Sequence, residues 1–261
     1  MISTANLLPE FYLDPVLKQK NYYKFETIEI DFSNKRRLLE KLCTRDVEIT
    51  FLGKIKDLFV FNVFTAKVTF QSDQSIQNEQ LLKEDLYAFD IIHAGVNDKD
   101  EIVKIFNLED MQKRWQATKQ ELREDYVGFE FEDFLSDITE VLEDEEQTVY
   151  YLKNHAMFGL YFHGLFGKKD TNKMPIRRKI ILLDFDDTEI TEEIRTDNKE
   201  SEFILSAQKT DDVNKKIISD NEEIKRYRGK LSHNKEGLLL EGFLEIENES
   251  KKIIYSVLWV G

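Results

Sequence analysis

The sequence predicts an α+β protein in which the N- and C-terminal parts form an antiparallel β-sheet or sandwich around an inserted acidic helical block. Strand patterns fill residues 22–75 and return at 175–261, whereas residues from about 78 to 167 follow helical periodicity. No regular β-α-β alternation is present, which disfavours a doubly wound fold. We therefore expect a single domain over 1–261, the alternative being two domains that meet near Lys168–Met174.

The first β segment is predicted from alternation and from apolar runs. Apolar and polar residues alternate from 47 to 51, and residues 59–64 form a nearly continuous apolar run, as strands do. Between these patterns, Ser33 is a candidate cap for a short helix that continues through Leu42. The segment thus predicts strands interrupted by one short helix.

The inserted block predicts four helices. The first extends from Asn78 towards Gly95, and the second begins at Asn107. The third has the clearest pattern, because its apolar residues fall at offsets of 0, 3, 4, 7, 10 and 11 from Phe131 and form one stripe. The fourth, roughly Glu145–Phe166, is apolar on most sides and is expected to be a central buried helix.

After Pro175 the alternation of strands returns. Residues 180–185 and 203–207 predict strands, and the last 35 residues predict a three-stranded meander with polar turns at 234–237 and 248–250. Alternating leucines and glutamates in its middle strand predict an antiparallel sheet with one solvated face.

Charge and cysteine content exclude several classes of function. The chain has 37 basic and 51 acidic residues, a net charge of −14, which disfavours nucleic acid as a partner. The longest apolar stretch is about half the length of a bilayer span, and the residues before Lys18 lack the basic region of a secretory leader. Cys43 is the single cysteine. We therefore expect a cytoplasmic protein with neither a membrane nor a nucleic-acid partner.

The negative charge is concentrated in the helical block. Residues 79–147 hold 21 acidic and 7 basic residues, whereas the rest of the chain holds 30 of each. In and just after the third helix, acids recur every three or four residues and form a stripe opposite the apolar one. The candidate partner-binding residues are Glu130, Asp133, Asp137, Glu140 and Asp144. A docking surface for a basic protein is the functional interpretation, and a solvated face that keeps the protein soluble is the alternative.

Residues 180–188, Ile-Ile-Leu-Leu-Asp-Phe-Asp-Asp-Thr, resemble the first motif of the haloacid-dehalogenase-type phosphatases. The resemblance implies that Asp184 is a nucleophile, that Asp186 is a general acid/base, and that both help to hold Mg²⁺. It also implies an α/β sheet after the motif. Only 77 residues follow Asp184, and they predict an antiparallel meander instead.

The histidines and Trp115 are expected to be structural. We predict that His155 and His163 are hydrogen-bonded in aromatic surroundings rather than metal ligands, and that Trp115 lies in the core. No other catalytic motif is present, so an enzyme is not the favoured interpretation.

Three functional hypotheses follow from the sequence. The first is a non-catalytic protein-binding module, such as an adaptor, a chaperone or an immunity- or inhibitor-type protein, that presents the acidic helical face to a basic partner. The second is a Mg²⁺-dependent phosphoesterase using Asp184 and Asp186, and only this hypothesis requires a cofactor. The third is a binder of a small apolar ligand between the aromatic residues 158–166 and the sheet. The sequence does not predict an oligomeric state.

Overall fold

The structure is a computed structural model of the chain. It describes residues 10–13, 15–33, 39–72, 88–99, 101–163, 165–170, 173–197, 201–208 and 223–261. The strands are β1 (Glu10–Leu13), β2 (Lys20–Asp31), β3 (Leu39–Ile55), β4 (Leu58–Ser72), β5 (Ile91–Val96), β6 (Ile102–Ile105), β7 (Gly167–Asp170), β8 (Ile176–Leu182), β9 (Thr188–Thr196), β10 (Glu202–Gln208), β11 (Arg226–His233), β12 (Leu239–Glu247) and β13 (Lys251–Trp259). The helices are α1 (Leu108–Asp125), α2 (Phe129–Val141), α3 (Glu145–Asn154) and α4 (Ala156–Tyr161).

Eleven of these strands form a single antiparallel sheet. Their spatial order is β6-β5-β4-β3-β2-β13-β12-β11-β10-β9-β8, and β1 pairs separately with β7. The register of β2 against β13 joins the two ends of the chain, with Phe25 opposite Val257 and Asp31 opposite Lys251. One continuous sheet therefore contains strands from both parts of the sequence.

The predicted α+β sandwich with an inserted helical block is wrong, because the fold is dominated by this one sheet. Two strands, β5 and β6, lie inside the region predicted to be helical, and they extend the sheet beyond β4. Ile91–Val96 is a short apolar run whose length suits a strand, and periodicity cannot tell such a run from a buried helix. Hydrogen bonding to β4 makes this run a strand rather than a buried helix.

Two further helix predictions differ from the structure. Leu39 and Leu42 lie in β3, paired with β2, so the helix predicted from Ser33 does not extend over them; residues 34–38 lie outside the described residues. The predicted helix from Asn78 falls mostly on residues 73–87, which also lie outside them, and its end is β5.

The helices predicted from Asn107 and from the Phe131 stripe are confirmed as α1 and α2. The long fourth helix is wrong, because it is divided at His155 into α3 and α4. The backbone of His155 is extended, with φ −72° and ψ 116°, and its Nδ1 accepts a hydrogen bond from the Met157 amide at 3.3 Å. The side chain thus caps a second helix rather than continuing the first. The three-stranded C-terminal meander is confirmed as β11, β12 and β13.

Helix α3 joins the two edges of the large sheet. It contacts both edge strands, β6 and β8. The amide of Ile105 in β6 donates to Glu145 Oε1 at 3.0 Å, and the amide of Ile181 in β8 donates to Asn154 Oδ1 at 3.1 Å. Side chains of one helix therefore satisfy edge groups that would otherwise be unpaired.

Aromatic residues fill the sheet face that α4 covers, which we call the inner face. The ring of Tyr161 lies 5.4 Å from that of Tyr23 and 6.1 Å from that of Phe61, and the ring of Phe162 lies 5.1 Å from that of Phe61. These rings bury a large apolar area and pack mainly edge to face, the arrangement that aromatic pairs prefer. This contact between α4 and the sheet is part of one hydrophobic core, which also includes buried residues of α1, α2 and α3.

Candidate functional site

Helix α2 separates an apolar side from an acidic side. It begins after Gly128, whose φ of 135° favours glycine, and buries Phe131, Leu135 and Ile138. Asp133, Asp137 and Glu140 on the same helix are exposed. The i, i+3 and i, i+4 spacing places these acids on one surface, as the sequence predicts.

These acids have little charge neutralisation. Among the described residues of segment 121–146, the only ion pair is Arg123 Nη2 with Glu132 Oε2, at 2.8 Å. The hydrogen bond from Arg123 lowers the pKa of Glu132. Neither an arginine nor a lysine from the sheet reaches Asp133, Asp137 or Glu140 in the part of the chain that the structure describes. A continuous negative surface is therefore present on α2.

The other two candidate acids differ from these three. Glu130 lies in α2, but its side chain falls outside the described residues. Asp144 lies beyond the end of α2 and caps α3, where its Oδ1 accepts a hydrogen bond from the Gln147 amide at 2.9 Å. Asp144 is exposed, so a structural role as a cap is compatible with contact to a partner. We call Asp133, Asp137, Glu140 and Asp144 the acidic face.

A groove of about 970 Å³ lies between α1 and α2, beside the acidic face. Trp115, Leu135 and Leu142 supply its apolar base, and all three are buried. Asp133 and Glu140 line it on the α2 side. The groove therefore combines apolar surface with acids on the α2 side and with Lys119 and Arg123 on the α1 side.

Trp115 is buried, as predicted, and its hydrogen bond connects α1 to α2 at the base of the groove. Its Nε1 donates to Thr139 Oγ1 at 3.0 Å, and Lys119 Nζ donates to the same oxygen at 3.1 Å. Burial, followed by the charge of Arg123, lowers the pKa of Lys119. Thr139 in turn donates to the Leu135 carbonyl at 2.6 Å. One hydroxyl on α2 thus anchors two side chains of α1.

Large apolar side chains are exposed where α1 connects to α2. Val127 is 93% exposed and Phe129 is 82% exposed, and Phe129 also lines the groove. Phe129 therefore adds exposed apolar surface beside the charged residues that line the groove.

The structure places Asp184 and Asp186 in a turn. Strand β8 ends at Leu182, Leu183–Phe185 form a 3₁₀ turn, and Asp186 and Asp187 have φ of 52° and 54°. Strand β9 then returns antiparallel to β8, with Leu182 opposite Thr188. This hairpin differs from the α/β arrangement that the phosphatase resemblance implies, because the strand after the motif pairs directly with the one before it.

Asp184 and Asp186 lie at the surface, and their surroundings do not include a group of metal ligands among the described residues. Asp184 Oδ2 accepts a hydrogen bond from the hydroxyl of Tyr255, and both aspartates are exposed. No group of three or more histidine, cysteine, aspartate or glutamate side chains suited to a metal ion occurs among the described residues.

The space proposed for an apolar ligand contains the packed aromatic rings of the core. A cavity of about 50 Å³ remains beside Tyr161, His163 and Phe166. That volume accommodates one or two water molecules, whereas sites for small organic ligands usually measure several hundred Å³.

His163 meets a partner that the sequence does not indicate. Its Nε2 lies 3.2 Å from Nε2 of His233, and both residues are buried. Because His163 Nδ1 accepts from the Leu165 amide at 3.2 Å, its proton is on Nε2 and is donated to His233. His233 then carries its own proton on Nδ1. Burial lowers the pKa of His233 to about 4, so His233 is neutral at pH 7.

A buried ion pair on the inner face is also absent from the sequence-based predictions. Arg178 Nε donates to Glu192, whose other carboxylate oxygen accepts from the Tyr227 hydroxyl at 2.6 Å. Arg178 also donates to the carbonyls of Gly159 at 3.2 Å and Phe162 at 2.8 Å, and so it holds the end of α4 against the sheet. The sequence feature that could have indicated this ion pair is a charged residue within a segment of strand-like alternation.

In the part of the chain that the structure describes, no helix is long and apolar enough to cross a membrane. No protein-family model matches the sequence. No curated protein matches it significantly. The fold was also compared with solved structures, and a structure of lipovitellin concerned with lipid–protein interactions is similar at 9% identity and a TM-score of 0.40. The similarity covers 94% of this chain and 25% of that one, so this chain spans about a quarter of its length.

Proposed function

We propose that this protein is a non-catalytic protein-binding module that presents the acidic face and the adjoining groove to a basic partner protein. An adaptor, a chaperone and an immunity- or inhibitor-type protein all act in this way. The observation that supports the proposal is the exposure of Asp133, Asp137 and Glu140 without a neutralising cation from the described residues.

The energetics of α2 support a role for these acids. Asp133 and Asp137 are separated by four residues and Asp137 and Glu140 by three, so each pair repels by a few tenths of a kcal/mol. Glu140 also lies in the last turn of α2, which contains no basic residue to complement the negative end of the helix dipole. A basic partner would relieve both effects when it binds.

The groove supports the proposal with apolar contact surface. Charge of one sign accelerates association and selects among partners, but it contributes little affinity unless buried apolar contacts accompany it. Phe129 at the edge of the groove is exposed and is available for such contacts. We propose that binding takes place in the cytoplasm, in keeping with Cys43 as the single cysteine of the sequence.

A salt-dependent binding experiment with matched variants tests this function. The test variant carries D133N, D137N, E140Q and D144N, all of which keep side-chain size, and asparagine at 144 keeps the cap of α3. The control variant changes the net charge equally at four exposed acids in the sheet strands and turns, namely Asp57, Asp187, Glu236 and Glu241.

We expect partners captured by the wild-type chain at low salt to be basic, to dissociate as salt rises, and to be lost from the test variant but kept by the control. For a captured partner, the dissociation constant would then rise at least tenfold in the test variant. Equal retention by the test variant and the wild-type chain would contradict the proposal.

A further inference from the structure

The outer face of the sheet, opposite to the inner face that α4 covers, carries a row of charged residues across its C-terminal half. Arg178 lies on the inner face, so its neighbour Arg177 lies on the outer one. Register places Arg177 of β8 opposite Glu193 of β9, and Arg228 of β11 opposite Glu245 of β12. Because alternate residues of a strand point to the same side, a further arginine of β9 and one of β11 share this face. We call the four residues Arg177, Arg195, Arg226 and Arg228 the arginine patch.

The carboxylates of this face lie beneath the arginines. The side chains of Glu193 and Glu245 are 3% and 6% exposed, whereas those of the arginine patch are 47–63% exposed. Glu193 pairs with two of the arginines, and Glu245 pairs with the other two and with Lys252. Glu247 is the third carboxylate of the group and lies 3.6 Å from Arg226. Five cations therefore meet three carboxylates, and the layer in contact with solvent consists of guanidinium groups with an excess of positive charge.

Exposed apolar side chains lie beside the arginine patch. Ile204 of β10 is directly opposite Arg195, and Phe243 of β12 lies on the same face. Both Ile204 and Phe243 are exposed, as is Phe129 beside the acidic face. Each of the two surfaces thus combines charge of one sign with apolar contact area, and the two signs are opposite.

The arginine patch and the acidic face have similar lengths. Arg177 and Arg228 are separated by three strand spacings, about 14 Å. Asp133 and Glu140 are separated by seven residues of α2, about 10 Å along the helix axis, and Asp144 extends the acidic face beyond the helix. A helix with the acids of α2 can therefore lie across the strands of the arginine patch with charges in contact over its length.

The distribution of charge along the chain favours contact between unlike surfaces. Residues 79–147 carry the whole net charge of −14, whereas the rest of the chain has 30 residues of each sign. A symmetric contact between two acidic faces would bring like charges together and would be repulsive. A head-to-tail contact instead places the acidic block of one copy against a part of the next copy that is neutral overall and positive at the arginine patch.

We propose that the arginine patch binds the acidic face of a second copy of this chain, so that copies associate head to tail. The inference rests on the proposed function, since it uses the same acidic face, and it adds a second surface and a partner of known chemistry. In such a contact each copy keeps one free surface of each kind, so assemblies larger than a dimer can form. A basic partner protein would compete with this self-association for the acidic face.

Sedimentation velocity of the full chain at low and at high sodium chloride concentration tests the contact. At low salt the weight-average sedimentation coefficient should increase with protein concentration beyond that of the monomer, and at high salt it should return to the monomer value. The acidic-face variant carries D133N, D137N, E140Q and D144N, and the patch variant carries R195Q and R228Q. Each should raise the dissociation constant of self-association about tenfold or more.

The patch variant is chosen so that neither buried carboxylate loses all of its cations. Arg177 remains on Glu193, and Arg226 and Lys252 remain on Glu245. R195K with R228K keeps the charge of the patch and should associate nearly as the wild-type chain does. The matched control carries K24Q and K67Q, which remove two exposed cations from the N-terminal half of the same face, and it should also associate as the wild-type chain does.

Mixing the two variants gives a result that a general loss of stability would not give. Each variant retains the surface that the other lacks. An equimolar mixture of the acidic-face and patch variants should therefore form a heterodimer at low salt, although each variant alone is monomeric. The mixture should stop at the heterodimer, because only one productive contact is available.

Cross-linking of the wild-type chain decides the matter even if the patch variant does not fold. A carbodiimide joins a carboxylate to an adjacent lysine amine without a spacer, and Lys179 and Lys230 lie beside the arginine patch. In a mixture of isotopically labelled and unlabelled chains at low salt, cross-links from Asp137 or Glu140 to these lysines should contain one chain of each kind. High salt should remove them.

A wild-type chain that stays monomeric at low salt would overturn this inference and leave the proposed function standing, because capture of a basic protein does not involve the arginine patch. Self-association that persists in either variant, or a mixture that forms no heterodimer, would also overturn it. Self-association lost in both variants and restored in the mixture would support it. If basic proteins were then captured equally by the wild-type chain and the acidic-face variant, only the proposed function would be contradicted.

Discussion

The outer face of the C-terminal half of the sheet and the acidic face of α2 both carry many carboxylates, but only the first pairs them. On the sheet, Glu245 meets Arg226 at 3.0 Å, Arg228 at 2.6 Å and Lys252 at 2.7 Å. Glu193 similarly pairs with two arginines of the sheet. Among the described residues, Asp133, Asp137 and Glu140 of α2 have no such partner.

The difference arises from how each element arranges its neighbours. In the sheet, register places Arg228 directly opposite Glu245 and Arg177 directly opposite Glu193, so opposite charges meet across strands. On a helix, the neighbours at three and four residues must supply the pairing, and α2 contains neither a lysine nor an arginine. Excess negative charge is therefore a local property of α2, which is what a docking surface for a basic protein requires.

Removing the cation from the buried pair is expected to give the largest effect. R178M leaves Glu192 buried without its counter-charge and frees the carbonyls at the end of α4, so the free energy of unfolding should fall by about 3–5 kcal/mol. Urea denaturation measures this loss. R123M, which unpairs the exposed Glu132, is the control and should change stability little. If R178M were as stable as R123M, pairing inside the sheet would not distinguish the two regions.

Protonation should destabilise the interior of the sheet, where buried histidines are neutral, whereas neutralising an acid of α2 should stabilise the protein. The pKa of His233 is about 4 in the folded protein against an ordinary value of 6.5, so its contribution is complete above pH 6.5 and is lost as the pH falls to 4. The loss amounts to about 3 kcal/mol at most. His155, with a similar pKa, adds to it.

Urea denaturation between pH 7 and 5 checks this contribution. The wild-type free energy of unfolding should fall over this interval, and H233Q should show a smaller fall, because only His155 of the two remains. An unchanged pH dependence in H233Q would show that His233 is not the neutral acceptor that its contact with His163 implies.

The sequence predicts the parts of this comparison that depend on local spacing. The apolar and acidic stripes of α2 follow from residue periodicity, and the meander follows from polar turns at 234–237 and 248–250. By contrast, His163 and His233 are 70 residues apart, and only the pairing of distant strands brings them together. The strand β5 was missed for the same reason, since its partner β4 decides its conformation.

Arg45, a buried residue of β3, could have been recognised as unusual from the sequence alone. It falls in the same alternation phase as Val47 and Ile49, so a charged residue occupies a position that the strand pattern assigns to the core. The lack of a hydrogen-bond partner for its Nε and Nη1 among the described residues could not have been predicted, because it depends on what the fold packs around the guanidinium.

Glu245 gives the next smaller effect, at lower pH. Burial alone would raise the pKa of Glu245, but hydrogen bonds from Lys252, Arg228 and Arg226 lower it to about 2. Its contribution is therefore complete above pH 4.5 and is lost as the pH falls towards 2. Because its arginine partners are largely exposed and screened, we expect about 1–3 kcal/mol. E245Q should remove this part of the acid sensitivity, measured by denaturation at pH 4.5 and 2.5, and an unaltered profile would contradict the pairing.

Neutralising one residue of the acidic face should have the smallest effect and the opposite sign. D137N removes the repulsion of Asp137 with both Asp133 and Glu140, so the free energy of unfolding should rise by a few tenths of a kcal/mol at low salt. The gain should shrink as salt is added, because salt screens repulsion between exposed charges. Thermal unfolding of D137N and the wild-type chain at two salt concentrations measures both changes. If D137N were less stable at low salt, Asp137 would have a stabilising contact, and the acidic face would resemble the paired carboxylates of the sheet.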